Sequence, residues 1–486
     1  MSAFESGTLE VWVGETPWHH RAGFVGSAIV VLSVALGIAA LFVPWQVFAG
    51  LVLGAAVLGL AWRSAYIGLL VALAWVYVRP DEFVPGLHHL HMQKLLVFIV
   101  LAAMFMRRGE RKPILSPGAA QTWALLGILA VVAASVPFAV WKGAAFSTLD
   151  RLVRYSVYYF VALALVIDIP RLRGYLWTLI GASAFLAFAA LHNYRTGDVV
   201  LSGELQRATG VNAMFEDPND LAAAMTMALP LAYYSIWGAK SLAGRLFALA
   251  TVAALVFGVV LTGSRSGTVT VAALSLLILW RTPRRGLVAL CGAAMLIGFW
   301  FSASPQYRER ILSIGKPGKE GQEDPSVVIR REAWAAGKQM FKEHPLIGVG
   351  AGNFPNAWAQ LYTDELERPI WKNAHSIYYQ LAGELGVVGI AAWGALVFTV
   401  FRDNRRVRRR LQRSGRGDGY LRYVTYGVDA ALVSLLLNGV FLSILYYPFM
   451  FTLASLTAVL TRLTHDLGDV EPAEERQELC VVSAAS

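Results

Sequence analysis

Of the 486 residues, 56% are hydrophobic and only 15% charged, and the mean hydropathy is +0.53. A soluble domain carries about 25% charged residues, so this composition excludes a soluble enzyme, a disordered chain and a coiled coil. The formal charge is +10, from 42 basic and 32 acidic side chains, but the basic excess sits in short loops between apolar runs, which argues against nucleic acid as a partner.

Apolar stretches of about 20 residues match the hydrocarbon core of a bilayer. In chain order they fall near 23–43, 45–62, 64–79, 93–106, 121–140, 154–169, 174–191, 220–238, 245–263, 266–281, 285–303, 376–401, 425–445 and 447–464. Some are short, so about twelve to fourteen spans are expected. The first 22 residues lack a basic region ahead of the apolar run, so 23–43 reads as a retained span rather than a cleaved signal. The fold expected is an all-α polytopic membrane protein. Residues 1–302 hold helices one to eleven, 303–375 form a long outer loop with short helices, 376–464 hold the last spans, and 465–486 form a polar tail. Cys291 falls in a span and Cys480 in the tail, so no disulfide framework is expected.

Loop arginines set the orientation. Segment 402–422 has nine Arg against two Asp and is expected to be a cytoplasmic loop. Counting back through the spans places the clusters at Arg281/Arg284/Arg285, Lys240/Arg245, Arg171/Arg173, Arg107/Arg108/Arg111/Lys112 and Arg63 on that same side. Both termini then lie inside, while 193–219 and 303–375 lie outside, the latter with ten basic and nine acidic residues.

Arginines on the outer side therefore call for a reason. Arg207 lies in "ELQRATGVN" of the first outer loop, where pairing with Glu204 is an ordinary alternative. "EDPND" (216–220) reads as a helix start, with Asp217 as cap, Pro218 in the first position and Asn219 and Asp220 following. Arg265 sits in the turn "LTGSRSG" between two spans, flanked by Ser264 and Ser266. It has no acid nearby in sequence, and a guanidinium fork suits phosphate oxygens; a headgroup anchor is the plainer alternative. In the long loop, 326–343 reads as an amphipathic helix in which Arg331, Trp334, Lys338 and Phe341 share one stripe, which places Arg331 on the buried face. Arg330 is adjacent, and a solvated charge on a lid helix is its alternative.

His375 in "KNAHSIYYQLAGELGVVGI" is expected in the first turn of the following span, where the positive helix end favours a neutral imidazole able to accept a proton. Glu384, well inside that span, is expected to face protein or water. Tyr379 completes the candidate pocket with Ser264, Ser266, Asn219, Arg330 and Glu384. His88 and His91, at helical spacing with Asp81 and Glu82 nearby, form an unspecific metal-site pattern and no metal is expected there; no Gly-rich phosphate loop or nucleotide signature is present on the cytoplasmic side, and no cofactor is expected.

The order R-x-T-G…N…D-P-N-D-L-A (207–222), G-S-R-S-G (263–267), R-x-x-W…H-P-L-I-G-V-G-x-G-N-F (331–354) and N-A-H-S resembles the O-antigen ligase and polymerase superfamily. Its most specific pattern is His, then Asn, Ser or Gln, nine residues, Gly, two residues, and Gly, Thr or Tyr; His375, Ser376, Gly386 and Gly389 fit it without a gap. The likeness covers roughly 200–395. It implies a metal-independent glycosyltransferase of the multi-span GT-C type, working at the periplasmic face of the inner membrane on an undecaprenyl-diphosphate-linked glycan, with a glycan or lipid A-core acceptor. By matching position, His375 is then the catalytic base, and Arg265, Arg331 and Arg207 hold the diphosphate. A secondary transporter of an anion or lipid-linked glycan, and an O-linked protein glycosylase with the same donor, are the alternatives.

Overall fold

The architecture is that of a computed structural model, which describes residues 45–84, 87, 91–106, 120–202, 205–281, parts of 285–301, 305–312, 325–362, 371–413 and 419–468. The expected span 23–43, most of 285–303 with Cys291, and the tail beyond 468 lie outside the described residues. The first helices are α1 (Trp45–Arg63), α2 (Ala65–Val78), the short α3 (Pro80–Phe83), α4 (Met92–Met106), α5 (Ala120–Ser135), α6 (Lys142–Leu165) and α7 (Ile169–Thr196). A two-stranded hairpin follows, β1 (Val199–Ser202) against β2 (Leu205–Ala208), with Val200 opposite Arg207. Next come α8 (Pro218–Gly238), α9 (Leu242–Leu261), α10 (Arg265–Arg281), α11 (Pro305–Leu312), α12 (Pro325–Glu343) and α13 (Phe354–Leu361). The chain closes with α14 (Ile377–Arg413), α15 (Gly419–Asn438) and α16 (Phe449–Gly468).

This is an all-α polytopic membrane fold. Among the described residues, five helices are long and apolar enough to cross a bilayer: Ala120–Phe138, α7, α8, α9 and α14. Two differences from the expected spans concern charged segments. α6 begins at Lys142, twelve residues earlier than the apolar run suggests, because Asp150 and Arg154 pair one turn apart and allow the helix to carry charge. The Arg-rich stretch expected as a loop is helical to Arg413, so α14 runs on for 37 residues. Asp403 on this extension is buried, accepting from Gln121 Nε2 of α5 at 2.9 Å and from Arg402 Nε at 2.7 Å.

α8 lies at the centre. Asp217 caps it, accepting from Asn219 N at 2.6 Å, and Pro218 sits where a missing N–H costs nothing. Its run of small residues, Ala222, Ala223, Ala224, Ala228 and Ala232, lets α7, α9, α10 and α15 approach closely. Polar ties fix the register where lipid and protein are equally apolar: Asn438 Nδ2 donates to Thr226 Oγ1 at 2.9 Å, and Tyr77 and Thr452 share a hydrogen bond of 2.8 Å.

α14 is broken inside the bundle. Gly386 has φ 60° and ψ −158°, and residues 345–350 insert at the break. Val387 N donates to Pro345 O at 2.8 Å and Val388 N to Leu346 O at 3.2 Å. In return, Val349 N donates to Gly383 O at 2.9 Å and Gly350 N to Glu384 O at 3.0 Å. The opened helix thus leaves these four backbone bonds satisfied away from water, as a membrane interior demands. The geometry needs glycine. A Cβ on Gly386 would lie 2.5 Å from Leu346 C, and one on Gly348 (φ 65°) would lie 2.3 Å from Glu384 C.

Candidate functional site

Gly352, just past the inserted segment, and the start of α14 form one wall of a cavity of about 520 Å³. His375 faces it with Arg330 of α12, Arg151 of α6, and Asp217, Asn219 and Asp220 at the start of α8. Gln380 and Glu384 of α14, Tyr446 and Tyr447 before α16, and Thr148, Asn373 and Ser443 also line it.

His375 is not in the first helical turn, as expected, but two residues ahead of α14. The helix begins at Ile377, whose N–H donates to Gly439 O at 2.7 Å, and Ser376 Oγ accepts from Tyr378 N at 3.3 Å. His375 itself has φ 49°, a left-handed conformation that an imidazole residue adopts only where its surroundings hold it there. Ala374 and Ser376 on either side are buried and supply that hold. Burial first, then the Arg330 guanidinium, pushes the imidazole below its ordinary value of 6.5, against an upward pull from Asp217. Both influences favour the neutral imidazole, and the larger one is desolvation rather than the helix end expected from sequence.

The α12 stripe is also rotated from expectation. Ala333, Gly337 and Met340 face inward; Arg331 and Lys338 are exposed, so placing Arg331 on the buried face is corrected. Small residues decide this, because a Cβ on Gly337 would come within 3.1–3.3 Å of Phe354 and Tyr379, and only that face can approach so closely. Arg330, half-buried, is the arginine that reaches the cavity; Arg331 does not line it. Tyr379 does not line it either; its ring stacks on Trp334 with centroids 5.2 Å apart.

Arg207 is buried at 7% exposure and acts as a bracket. Its Nε donates to Thr262 O and its Nη2 to Asn219 Oδ1, both at 2.8 Å. Ser264 Oγ donates to the same Asn219 oxygen at 3.0 Å and lies 3.1 Å from Ser266 Oγ. The serine turn is thereby tied to a residue that lines the cavity. Arg265, half-buried, opens α10 next to this network but is not in the cavity lining.

Glu384 is fully buried and faces protein, as expected. It accepts from Gly352 N at 2.8 Å, Phe354 N at 3.1 Å, Tyr446 Oη at 2.6 Å and Gln380 Nε2 at 3.4 Å. Three chain segments are joined through one carboxylate. Asp220 is held in a similar way, accepting from Tyr447 Oη at 2.6 Å.

Arg151 was not foreseen. The signal was available, since residues 141–153 lie on the outer side in the loop-arginine orientation and an outward arginine there called for the same explanation as Arg265. Among the described residues, no group of three or more His, Cys, Asp or Glu is placed to hold a metal ion.

The cavity thus brings one histidine and two guanidinium groups together in a multi-pass membrane protein, an arrangement able to hold an anionic group beside a proton acceptor. Residues 221–394, about a third of the chain, match the family model described as O-antigen ligase, so this segment is similar to that family. No curated protein shows a significant match to the chain.

Proposed function

We propose that the protein transfers a glycan from undecaprenyl diphosphate to a hydroxyl of a glycan or lipid A-core acceptor, at the periplasmic face of a bacterial inner membrane. The observation that carries this reading is the shared cavity, in which an imidazole held neutral faces two guanidinium groups, Arg151 and Arg330, from separate helices.

In the reaction, the acceptor oxygen bonds to the anomeric carbon while the bond from that carbon to the diphosphate oxygen breaks. The bonding pair leaves with undecaprenyl diphosphate, and the acceptor proton passes to a ring nitrogen of His375. Charge builds on the departing phosphate, where Arg330 and Arg151 supply donors fixed in advance; losing one such donor typically costs ~10²–10³ in rate. Arg207 holds Asn219 and the Ser264–Ser266 turn in place, with Arg265 beside them for the distal phosphate. Filling of the cavity by donor and acceptor limits attack by water on the donor.

The test is reconstitution of the purified full chain in liposomes with the lipid-linked donor and candidate acceptors, the product being identified by mass. His375→Ala is expected to abolish transfer without loss of insertion. Near wild-type turnover in that variant overturns the base assignment, and flux of donor without a covalent product overturns transfer in favour of transport.

A further inference from the structure

The end of the bundle distal to the cavity has a cationic cluster of its own. α8, α10 and α14 start near the cavity and run away from it, so Arg281, the last residue of α10, and Arg408, far along α14, meet at the opposite end. α15 begins there and brings Arg422, Tyr426 and Asp429. The guanidinium carbons of Arg281, Arg408 and Arg422 lie 5.6, 5.1 and 5.7 Å from the centre of the single Tyr426 ring.

One buried carboxylate stands among these three cations. Asp429 Oδ2 is 2.8 Å from Arg408 Nη1 and 3.8 Å from Arg281 Nη1, while Oδ1 accepts from Asn404 Nδ2 at 2.8 Å. Arg408 Nη1 is thus engaged by the carboxylate, whereas Arg281 Nη1 is buried and makes no hydrogen bond. The Tyr234 hydroxyl is also buried without a partner, and its ring lies 5.8 Å from that of Tyr426. Buried donors without acceptors are rare in folded proteins and call for a partner. Asp429 is already shared between helices, so the missing partner is an anion with several acceptor oxygens, for which guanidinium forks are suited. The cluster lies where apolar α10 ends and α14 turns Arg-rich, a place that suits lipid headgroups if these helices span a bilayer.

We propose that Arg281, Arg408 and Arg422, arranged around Tyr426 with the Tyr234 hydroxyl, form a second site that takes the phosphate of an anionic phospholipid headgroup. It is separate from the transfer cavity and does not depend on how that cavity is read.

The test is native mass spectrometry of the full chain in detergent, titrated with phosphatidylglycerol and, in parallel, with zwitterionic phosphatidylcholine. Arg422→Gln leaves both Asp429 pairs in place, and is expected to weaken phosphatidylglycerol retention roughly fivefold with little change for phosphatidylcholine. Tyr426→Leu, which removes the ring the arginines surround, is expected to act in the same direction. A double Arg409→Gln/Arg410→Gln variant on the exposed face of α14 is expected to retain the lipid. Equal losses in that control would show diffuse attraction and overturn the site, as would unchanged retention in Arg422→Gln. Full displacement of the lipid by equimolar inorganic phosphate would overturn the headgroup as the ligand.

Discussion

His375 carries the sharpest consequences at the scale of single residues. Its imidazole is held below 6.5 by burial and by Arg330. The neutral form is the base, so activity is retained through pH 7 and lost only as pH falls through this lowered value. Arg330→Gln removes one of the depressing causes, so the acidic limb of the pH–rate profile is expected to move up toward 6.5. A limb that stays in place, measured as donor turnover against pH, would separate Arg330 from His375. Arg330→Gln and Arg151→Gln are each expected to lose ~10²–10³ in turnover at neutral pH. Arg331→Gln, on the exposed side of α12, is expected to remain close to wild type in the same assay; an equal loss there would restore the diphosphate role that the family resemblance implies for it. The sequence made His375 and the outward arginines legible through motif and orientation. It did not separate Arg330 from Arg331, since neighbours on a helix differ by about 100° and either can face inward. Gly337 and its contacts settle the rotation, and those contacts come from elements distant in sequence.

At the scale of elements, the glycines of 344–354 and 383–389 are explained by a broken helix and the segment that fills it. Hydropathy reads 376–401 as a single span and is right about its course, but it holds no information about a strand-like insertion four backbone bonds wide. The Gly-rich pattern was visible as a motif, and its physical meaning appears only when both partners are in place. Gly386→Ala puts a Cβ within 2.5–2.6 Å of the backbone of Leu346 and Pro345 at φ 60°. It is expected to lower the thermal midpoint in detergent, with strain of ~1–3 kcal/mol, and to increase proteolysis in 345–354. Gly394→Ala, with nothing within 4 Å, is the matched control and is expected to leave both readouts unchanged. Equal behaviour of the two variants would remove the insertion as a structural requirement.

Across the whole molecule, the segment matching the family does not build the site alone. Arg151 and Thr148 come from α6, and Leu442 to Tyr447 come from the turn before α16, all outside 221–394. The long-range ties run the same way: Asn212 Nδ2 donates to Tyr77 O at 3.1 Å, and Tyr175 and Ser455 share a hydrogen bond of 3.2 Å. A fragment spanning 200–400 is therefore expected to show no transfer and no cooperative unfolding, whereas the full chain shows both; activity in the fragment would contradict the shared cavity. Composition made the helical membrane class plain. The part played by α6 and the turn before α16 depends on packing between helices, which apolar periodicity does not encode.

The interruption of α14 also bears on the order in which the protein is made. Residues 345–350 leave the ribosome well before 383–388, so the amides and carbonyls destined to meet there must wait, exposed, for partners not yet synthesised. A nascent chain halted ahead of Val388 can already contain Arg151, Arg330 and His375, yet the wall between them has no means of closing. Competence for chemistry therefore arrives late in biogenesis, with the threading of a single stretch rather than with the insertion of any one helix.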